Sequence, residues 1–477
     1  MNRLESFLIT YETTIGFYSN SYILFYLFLA ILSWIAIKRY YNSKYFLLKE
    51  VLVKSNHSLG VSIVAPAFNE STTIVYNVKS LLFQEYPKFE VVIVNDGSTD
   101  NTLELLIKEF SLQKVDFFYQ EKIPTQLVRG HYKSTNPIYS KLLVVDKING
   151  KSKADASNAG INSAKYGLFI CTDVDCILRK DTISMLVKPF IENTEKVIAT
   201  GAAIRISNSC EFKDGMLYKS HYPDNFFARF QELEYIRSFL FGRMAWSKIN
   251  GLLLVSGGLG MFDKQTVIDA GGYWHKSLGE DMELITRMRK FMHDKKEKFL
   301  IIYIPESLCW TEVPSSMTIF LRQRVRWGRG LIQTLYLHKN IVFNPKYGKT
   351  GFIIFPYFIF YEFAVPILEV LGLIVLGIDI IFFEVNYDFL FFTSLSVYFF
   401  YISITLISVF LDQLIYKHYT GIKEVLILIA MVFIEPFVFH PINVFASLKG
   451  YWHFFRQKEQ SWGVQTRQGF NASNQQL

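Results

Sequence analysis

The chain has 477 residues, 51% hydrophobic and 17% aromatic, with 50 Lys+Arg against 42 Asp+Glu and a formal charge of +8. That length accommodates one large catalytic domain with further elements, and the apolar residues concentrate at the two ends. The basic excess reads as a solvated surface or as side chains facing anionic membrane lipids; no basic block interleaved with aromatics stands out, which argues against nucleic acid as a partner.

Ser21 to Ile37 is an uncharged apolar run near the shortest length for a membrane span. Lys38, Arg39, Lys44 and Lys49 follow it, and the positive-inside rule then puts the next domain in the cytoplasm. A signal peptide fits badly, because the basic cluster follows the apolar run and no small-residue cleavage site does. Residues 1–50 are thus expected to form an N-terminal membrane segment, ahead of a soluble-looking domain over 55–345.

Within that domain, Gly60 to Ala67 and Phe89 to Val94 are short β-branched runs ended by polar turns. Ser71 to Phe83 lies between them with Ile74, Val78 and Leu82 at helical spacing. Strand, helix, strand predicts parallel pairing with a right-handed crossover, and a second helix is expected over Thr99 to Phe110. Open α/β sheets bind ligands at the carboxyl ends of their strands, where Asn95, Asp96 and Gly97 fall. Tyr166 to Thr172 predicts another buried strand, ending in Asp173-Val174-Asp175. Two carboxylates at a strand end suit a hard cation such as Mg²⁺ or Mn²⁺, which completes its shell with phosphate oxygens and water. Alone, such a pair is more often surface decoration.

Gly279-Glu280-Asp281 opens a predicted helix, where carboxylates also serve simply to favour the helix dipole. Gln323, Arg326 and Trp327 would share one face of a later helix, although an Arg and a Trp before a membrane segment are ordinary interface anchors. Cys171, Cys176, Cys210 and Cys309 form no CxxC pair and read as reduced thiols rather than a disulfide framework or a zinc site. The Asn-x-Ser triplets at Asn56, Asn69 and Asn471 are taken as chance.

Residues 350–448 hold three apolar stretches, Phe352 to Phe383, Phe389 to Phe410 and Val425 to Phe445. Glu362, Pro366 and Glu369 make part of the first an interfacial or re-entrant candidate; Pro436 and Pro441 predict a broken end to the third. Glu362, Glu369 and Glu435 lie either at interfacial depth or against a polar cavity. The basic, aromatic tail at 449–477 is expected in the cytoplasm. That placement requires an even number of crossings after the catalytic domain, so one of the three stretches is expected not to cross.

Taken in order, APAFNE at 65–70, NDGSTD at 95–100, KADASNAGIN at 153–162, DVD at 173–175, GED at 279–281 and QRVRW at 323–327 resemble the family 2 glycosyltransferases. Among them the chain is similar to the membrane synthases of cellulose, hyaluronan, chitin and poly-N-acetylglucosamine, over roughly residues 60 to 340. The resemblance implies an α/β fold: a Rossmann-like GT-A domain in the cytoplasm with flanking transmembrane helices. It implies a nucleotide-sugar donor, a glycan or lipid acceptor, Mg²⁺ or Mn²⁺, and inversion to a β-linked product. By the same resemblance Asp96 contacts the uracil or ribose of a UDP-sugar, Ala67 and Glu70 frame the base, and Lys153 and Asp155 line the nucleotide and diphosphate. Asp173 and Asp175 correspond to the metal-binding pair, and Asp281, beside Glu280, to the general base. Gln323, Arg326 and Trp327 correspond to groups at the diphosphate and the acceptor. The segment SGGLGMF at 256–262 departs from hyaluronan synthases, and the donor sugar stays open. A polysaccharide synthase, a glycolipid synthase and a non-catalytic scaffold remain distinct readings; an accessory subunit is not addressed by these motifs.

Overall fold

The computed structural model describes residues 3–42, 58–213, 216–382, 387–416, 418–419 and 421–457. Lys44, Lys49, Asn56, Asn471 and the tail beyond 457 lie outside the described residues.

The runs of Val, Ile and Leu that predicted buried strands form the middle of one ten-stranded sheet. Its strands are β1 (Val61–Ala67), β2 (Phe89–Asp96), β3 (Leu112–Val115), β4 (Val128–Ser134), β5 (Leu142–Lys147) and β6 (Leu168–Cys171). They continue with β7 (Ile177–Leu178), β8 (Lys196–Ile206), β11 (Gly260–Asp263) and β12 (Phe299–Thr311), while β9 (Glu211–Lys213) and β10 (Met216–Lys219) pair separately. The order is β3-β4-β5-β2-β1-β6-β11-β8-β12-β7. β1 pairs in parallel with both β2 and β6, and β2 in parallel with β5, so their carboxyl ends emerge along one edge. Helices cover both faces of such strands, which is why they read as near-continuous apolar runs. Each fully buried Val or Ile there contributes on the order of 2 kcal/mol.

The helices of the domain are α2 (Ile74–Leu82), α3 (Thr102–Glu109), α4 (Lys153–Ser163), α5 (Thr182–Glu192), α6 (Phe226–Ile236), α7 (Met244–Lys248), α8 (Lys264–Asp269), α9 (Glu280–Asp294) and α10 (Met317–Leu337). α2 and α3 begin three residues later than expected. Residues 70–73 form a turn whose Glu70 carbonyl accepts from Thr73 and Ile74, and Asp100 accepts from the Thr102 N–H at 3.1 Å. Arg237–Arg243, between α6 and α7, is π-helical.

Outside the sheet, α1 (Arg3–Asn42) takes in the predicted N-terminal run, and α11 (Thr350–Phe382), α12 (Tyr387–Tyr416) and α13 (Ile422–Phe455) follow the catalytic region. Four described helices are long and apolar enough to cross a membrane, so length and composition single out none of the three C-terminal segments as a non-crossing one. The predicted break in the last segment is absent: α13 runs helically through Pro436 and Pro441 to Phe455 and takes in the start of the basic, aromatic stretch. A proline removes one helix donor and crowds the preceding turn, but packing against neighbouring helices accommodates it. π-helical turns at Thr350–Ile354 and Phe358–Phe363 mark the irregular start of α11. The three acidic residues in apolar context each have a partner. Tyr357 donates to Glu362 at 2.8 Å, His440 meets Glu369 at 3.0 Å, and Arg237 grips Glu435 with two bonds of 2.9 Å.

Candidate active site

The carboxyl edge of β1, β2 and β5 carries the first group of residues. Ala67 stands opposite Asn95, and Asp96 opposite Lys147, in the parallel register. The loops after β1 and β2 are sewn together: Asn69 and Ser71 N–H donate to Ser98 and Asp100, and the Glu70 N–H donates to the Thr102 hydroxyl at 3.0 Å. Asn69 takes a positive φ of 55° to make this turn, and its side chain accepts from the Thr99 N–H. Ala67 and Glu70 therefore sit beside Asp96, at one end of the edge.

Lys147 was not singled out in the sequence, where a lysine after a strand reads as a surface turn. Its ammonium is fully buried and bridges Asp96 at 2.6 Å to Asp155 at 2.5 Å. Asp96 also accepts from the Gly150 N–H at 3.0 Å. Burial raises the Asp96 pKa, and Lys147 opposes that rise.

α4 connects this group to the next. Ser152 caps it by accepting from the Asp155 N–H at 3.2 Å, so Lys153 and Asp155 both project from the first turn, at the positive end of the helix dipole. Asp155 turns to Lys147, whereas Lys153 reaches Asp173 at 2.5 Å and donates to the Gly257 carbonyl at 2.9 Å. Burial alone would lower the Lys153 pKa; the Asp173 carboxylate outweighs it and holds the ammonium above its ordinary value. The ligand atoms of Asp173, Asp175 and Cys176 lie within 4.8 Å of one another. Cys176, read from the sequence as a reduced thiol, is free and stands beside the acidic pair. Two strand-end carboxylates fit a hard cation; the buried thiol behind them is a softer donor.

Gly257 joins this cluster to the third group. Its carbonyl accepts from Lys153, while its N–H donates to Asp281 Oδ2 at 3.1 Å. Thr172, next to the acidic pair, donates to the Gly258 carbonyl at 2.8 Å. The glycine-rich segment that departs from hyaluronan synthases thus lies across the site, and its backbone is the part in use. Sequence reasoning missed Gly257 and Gly258 because three glycines in five residues fit many turns.

Asp281 and Glu280 open α9. Glu280 is buried with Arg326 at 3.9 Å, and burial followed by the nearby Asp281 raises its pKa while Arg326 lowers it. α10 supplies Arg326, which also donates to the Leu278 carbonyl at 3.4 Å. The amide of Gln333, two turns further along the same face, clasps residues 276 and 278 with bonds of 2.8 and 3.1 Å. Trp327 is 39% exposed, with the Arg324 guanidinium 4.1 Å from its ring centroid; two bonds of 2.6 Å tie Arg324 to Glu234. Gln323 is half-buried on the same helix, and no described contact joins it to Asp281. Asp96, Lys153, Asp155, Asp173, Asp175, Glu280, Asp281 and Arg326 are therefore linked in turn along one edge, and Trp327 follows Arg326 on α10 with its ring exposed. Chemically the edge offers a buried ammonium among carboxylates, a helix N-terminus for phosphate, a hard-cation pair and a carboxylate beside a guanidinium.

A family model described as "Glycosyl transferase family 2" matches residues 62–122, and one described as "Glycosyltransferase like family 2" matches 132–330. The poly-beta-1,6-N-acetyl-D-glucosamine synthase of Staphylococcus epidermidis is 30% identical over 319 residues, covering 65% of each chain. The synthase of the same name from Staphylococcus aureus (strain COL) is 26% identical over 315 residues, again 65% of each. The likeness therefore spans somewhat less than two thirds of these relatives' length. A mannosyltransferase from Pyrobaculum calidifontis, solved with GDP-Man and Mn2+, superposes with a TM-score of 0.53 at 16% identity over 90% of this chain and 100% of that one, and so shares the GT-A fold. With both models falling on the segments that build this cleft, and together spanning more than half of the sequence, the chain belongs to the family 2 glycosyltransferases.

Proposed function

We propose that this protein is an inverting, multi-pass membrane glycosyltransferase that builds a β-linked polysaccharide from a UDP-sugar, with N-acetylglucosamine as the sugar. The observation that carries it is the Gly257 bridge, in which the carbonyl and the N–H of one residue hold Lys153, the partner of the cation pair, and the carboxylate Asp281. Donor activation and acceptor activation then face each other across a single glycine. The names of the relatives support the polymer and the sugar.

In this reading the domain at 55–345 lies in the cytoplasm, between the N-terminal membrane segment of 1–50 and the membrane region of 350–448. Asp96, held by Lys147, receives the uridine, with Ala67 and Glu70 framing the base. Lys153 and the first turn of α4 face the diphosphate. Asp173 and Asp175 would hold Mg²⁺ or Mn²⁺, the ion bound by the mannosyltransferase of the same fold being Mn2+. Such a cation supplies neutralisation of the charge that grows on the leaving diphosphate. Arg326 adds a second positive group there, oriented by Glu280. Asp281 removes the proton from the acceptor hydroxyl as that oxygen attacks the anomeric carbon. One base and no separate protein nucleophile give a single displacement, so an α-linked donor yields a β-linked product.

The test offers purified protein a panel of radiolabelled UDP-sugars with Mg²⁺ or Mn²⁺, with and without diacylglycerol. Label from UDP-N-acetylglucosamine in water-soluble material of high molecular mass is expected. Asp281→Asn should lower its formation by about a hundredfold or more with UDP binding retained. Label confined to the organic phase and dependent on added lipid, or α-linkages by NMR, would overturn the reading.

A further inference from the structure

A cavity lies at the other end of α9 from the proposed catalytic pair. Arg289 follows Asp281 by about 12 Å of helix rise, and with His293 it lines a cavity of about 630 Å³. Lys296, Lys298, Lys346 and Lys349 complete its basic wall, against the carboxylates of Glu195 and Glu297. Lys346 also pairs with Asp294 at 2.7 Å. Nothing in the transfer reaction uses these side chains.

Arg289 is 2% exposed, and its partners are neutral. Its terminal nitrogens donate to the Asn250 carbonyl at 2.8 Å, the Leu252 carbonyl at 3.4 Å and the Thr350 hydroxyl at 3.0 Å; among the described residues no carboxylate pairs with it. A buried cation without a counter-charge is costly, and a basic cavity beside it deepens the imbalance. An anion in the cavity removes both costs.

The position says where that anion comes from. Thr350, which receives Arg289 and also meets His293 at 3.2 Å, is the first residue of the membrane-length helix α11. Phe343 and Phe352 stand exposed on either side of this junction, with ring centroids 6.3 Å apart. Exposed aromatic rings next to lysines are the composition of a membrane-surface segment, and basic pockets at helix entries take up phospholipid headgroups.

We propose that this cavity binds the phosphate of an anionic phospholipid from the leaflet facing the catalytic domain. The proposal rests on the membrane assignment but not on the sugar-transfer chemistry. The full-length protein is reconstituted in nanodiscs of phosphatidylglycerol and phosphatidylcholine, re-extracted, and its retained lipid counted by native mass spectrometry. Wild type should retain phosphatidylglycerol about tenfold over its bulk proportion. The variant Lys296→Gln/Lys298→Gln/Lys349→Gln changes only exposed side chains and should lose that enrichment with UDP binding intact as the folding control. Inorganic phosphate at millimolar concentration should leave the retained lipid in place. Equal enrichment in both proteins overturns the proposal, as does full displacement by inorganic phosphate, which would make this a site for soluble phosphate. Loss of sugar transfer with enrichment retained would count against the proposed reaction and leave the lipid site standing.

Discussion

Lys147 has no exposed surface, yet it neutralises two carboxylates that would otherwise repel each other at the nucleoside end of the cleft. Removing one member of a buried ion pair costs roughly 3–5 kcal/mol, since the remaining charge is left uncompensated. Lys147→Met should therefore lower the unfolding temperature in detergent and abolish the protection that UDP gives. Lys147→Met/Asp96→Asn should recover part of the stability without recovering UDP binding; unchanged UDP affinity in the single variant would remove Lys147 from the site. His131 illustrates a different electrostatic case. Its ring stacks on Phe117 at 4.3 Å, meets Ser163 at 3.0 Å and, among the described residues, is buried without a carboxylate partner, so burial lowers its pKa to about 4. A depressed folded value means that the unfolded chain binds the extra proton. The stability is thus fully present above about pH 6.5 and is lost as the pH falls towards 4, by roughly 3 kcal/mol for this one group. His131→Gln should flatten that part of the stability–pH curve relative to wild type, measured by denaturant unfolding at matched pH values.

Among the elements, α10 decides whether the site closes. It approaches so near the loop before α9 that a Cβ on Gly330 would lie 2.7 Å from the Gly279 nitrogen and 2.9 Å from its Cα. Both are backbone atoms and cannot swing aside. Gly330→Ala must push the helix away and carry Arg326 from Glu280. A shift of about 1 Å at reacting groups costs on the order of a hundredfold, so turnover should fall by that order while UDP binding at Asp96 stays unchanged. Unaltered turnover would mean that Arg326 needs no such closeness. The motif residues and the strand–helix–strand opening were readable because β1, β2 and β6 are unbroken apolar runs and α9 and α10 have clear helical spacing. β8, β11 and β12 were not, for physical reasons. GMFD at 260–263 is too short to declare a period, and it becomes a strand by inserting antiparallel between β6 and β8, about 90 residues after β6. Lys147 and Gly257 escaped for a related reason: each acts through a partner that only the sheet register or a distant loop provides. α13 was misread because two prolines weigh heavily in a single helix, whereas its neighbours decide whether it breaks.

For the molecule as a whole, the catalytic region and the membrane-length helices are joined through buried charge. Arg205 on β8 meets Glu232 on α6 at 3.3 Å and Asp412 on α12, while Arg237 in the π-helical turn holds Glu435 of α13 and donates to Thr405 of α12 at 3.0 Å. The contact extends to α10, where a Cβ on Gly450 of α13 would stand 2.6 Å from the Val325 carbonyl. The helix that positions Arg326 is thereby wedged between the proposed catalytic loop and the last apolar helix. Glu435→Gln leaves the Arg237 guanidinium without its counter-charge and should cost roughly 3–5 kcal/mol, read as a lower unfolding temperature in detergent. Arg237→Met should do the same from the other side. Replacing both partners by apolar groups removes the desolvation cost together with the attraction, so Arg237→Met/Glu435→Met should unfold close to wild type. If the double variant is as unstable as the sum of the single ones, Arg237 contributes through its stacking over the Tyr401 ring, 5.0 Å from the centroid, and its bond to Thr405 rather than as an ion pair, and the union of the two regions rests on the glycine-to-backbone packing of α10 and α13.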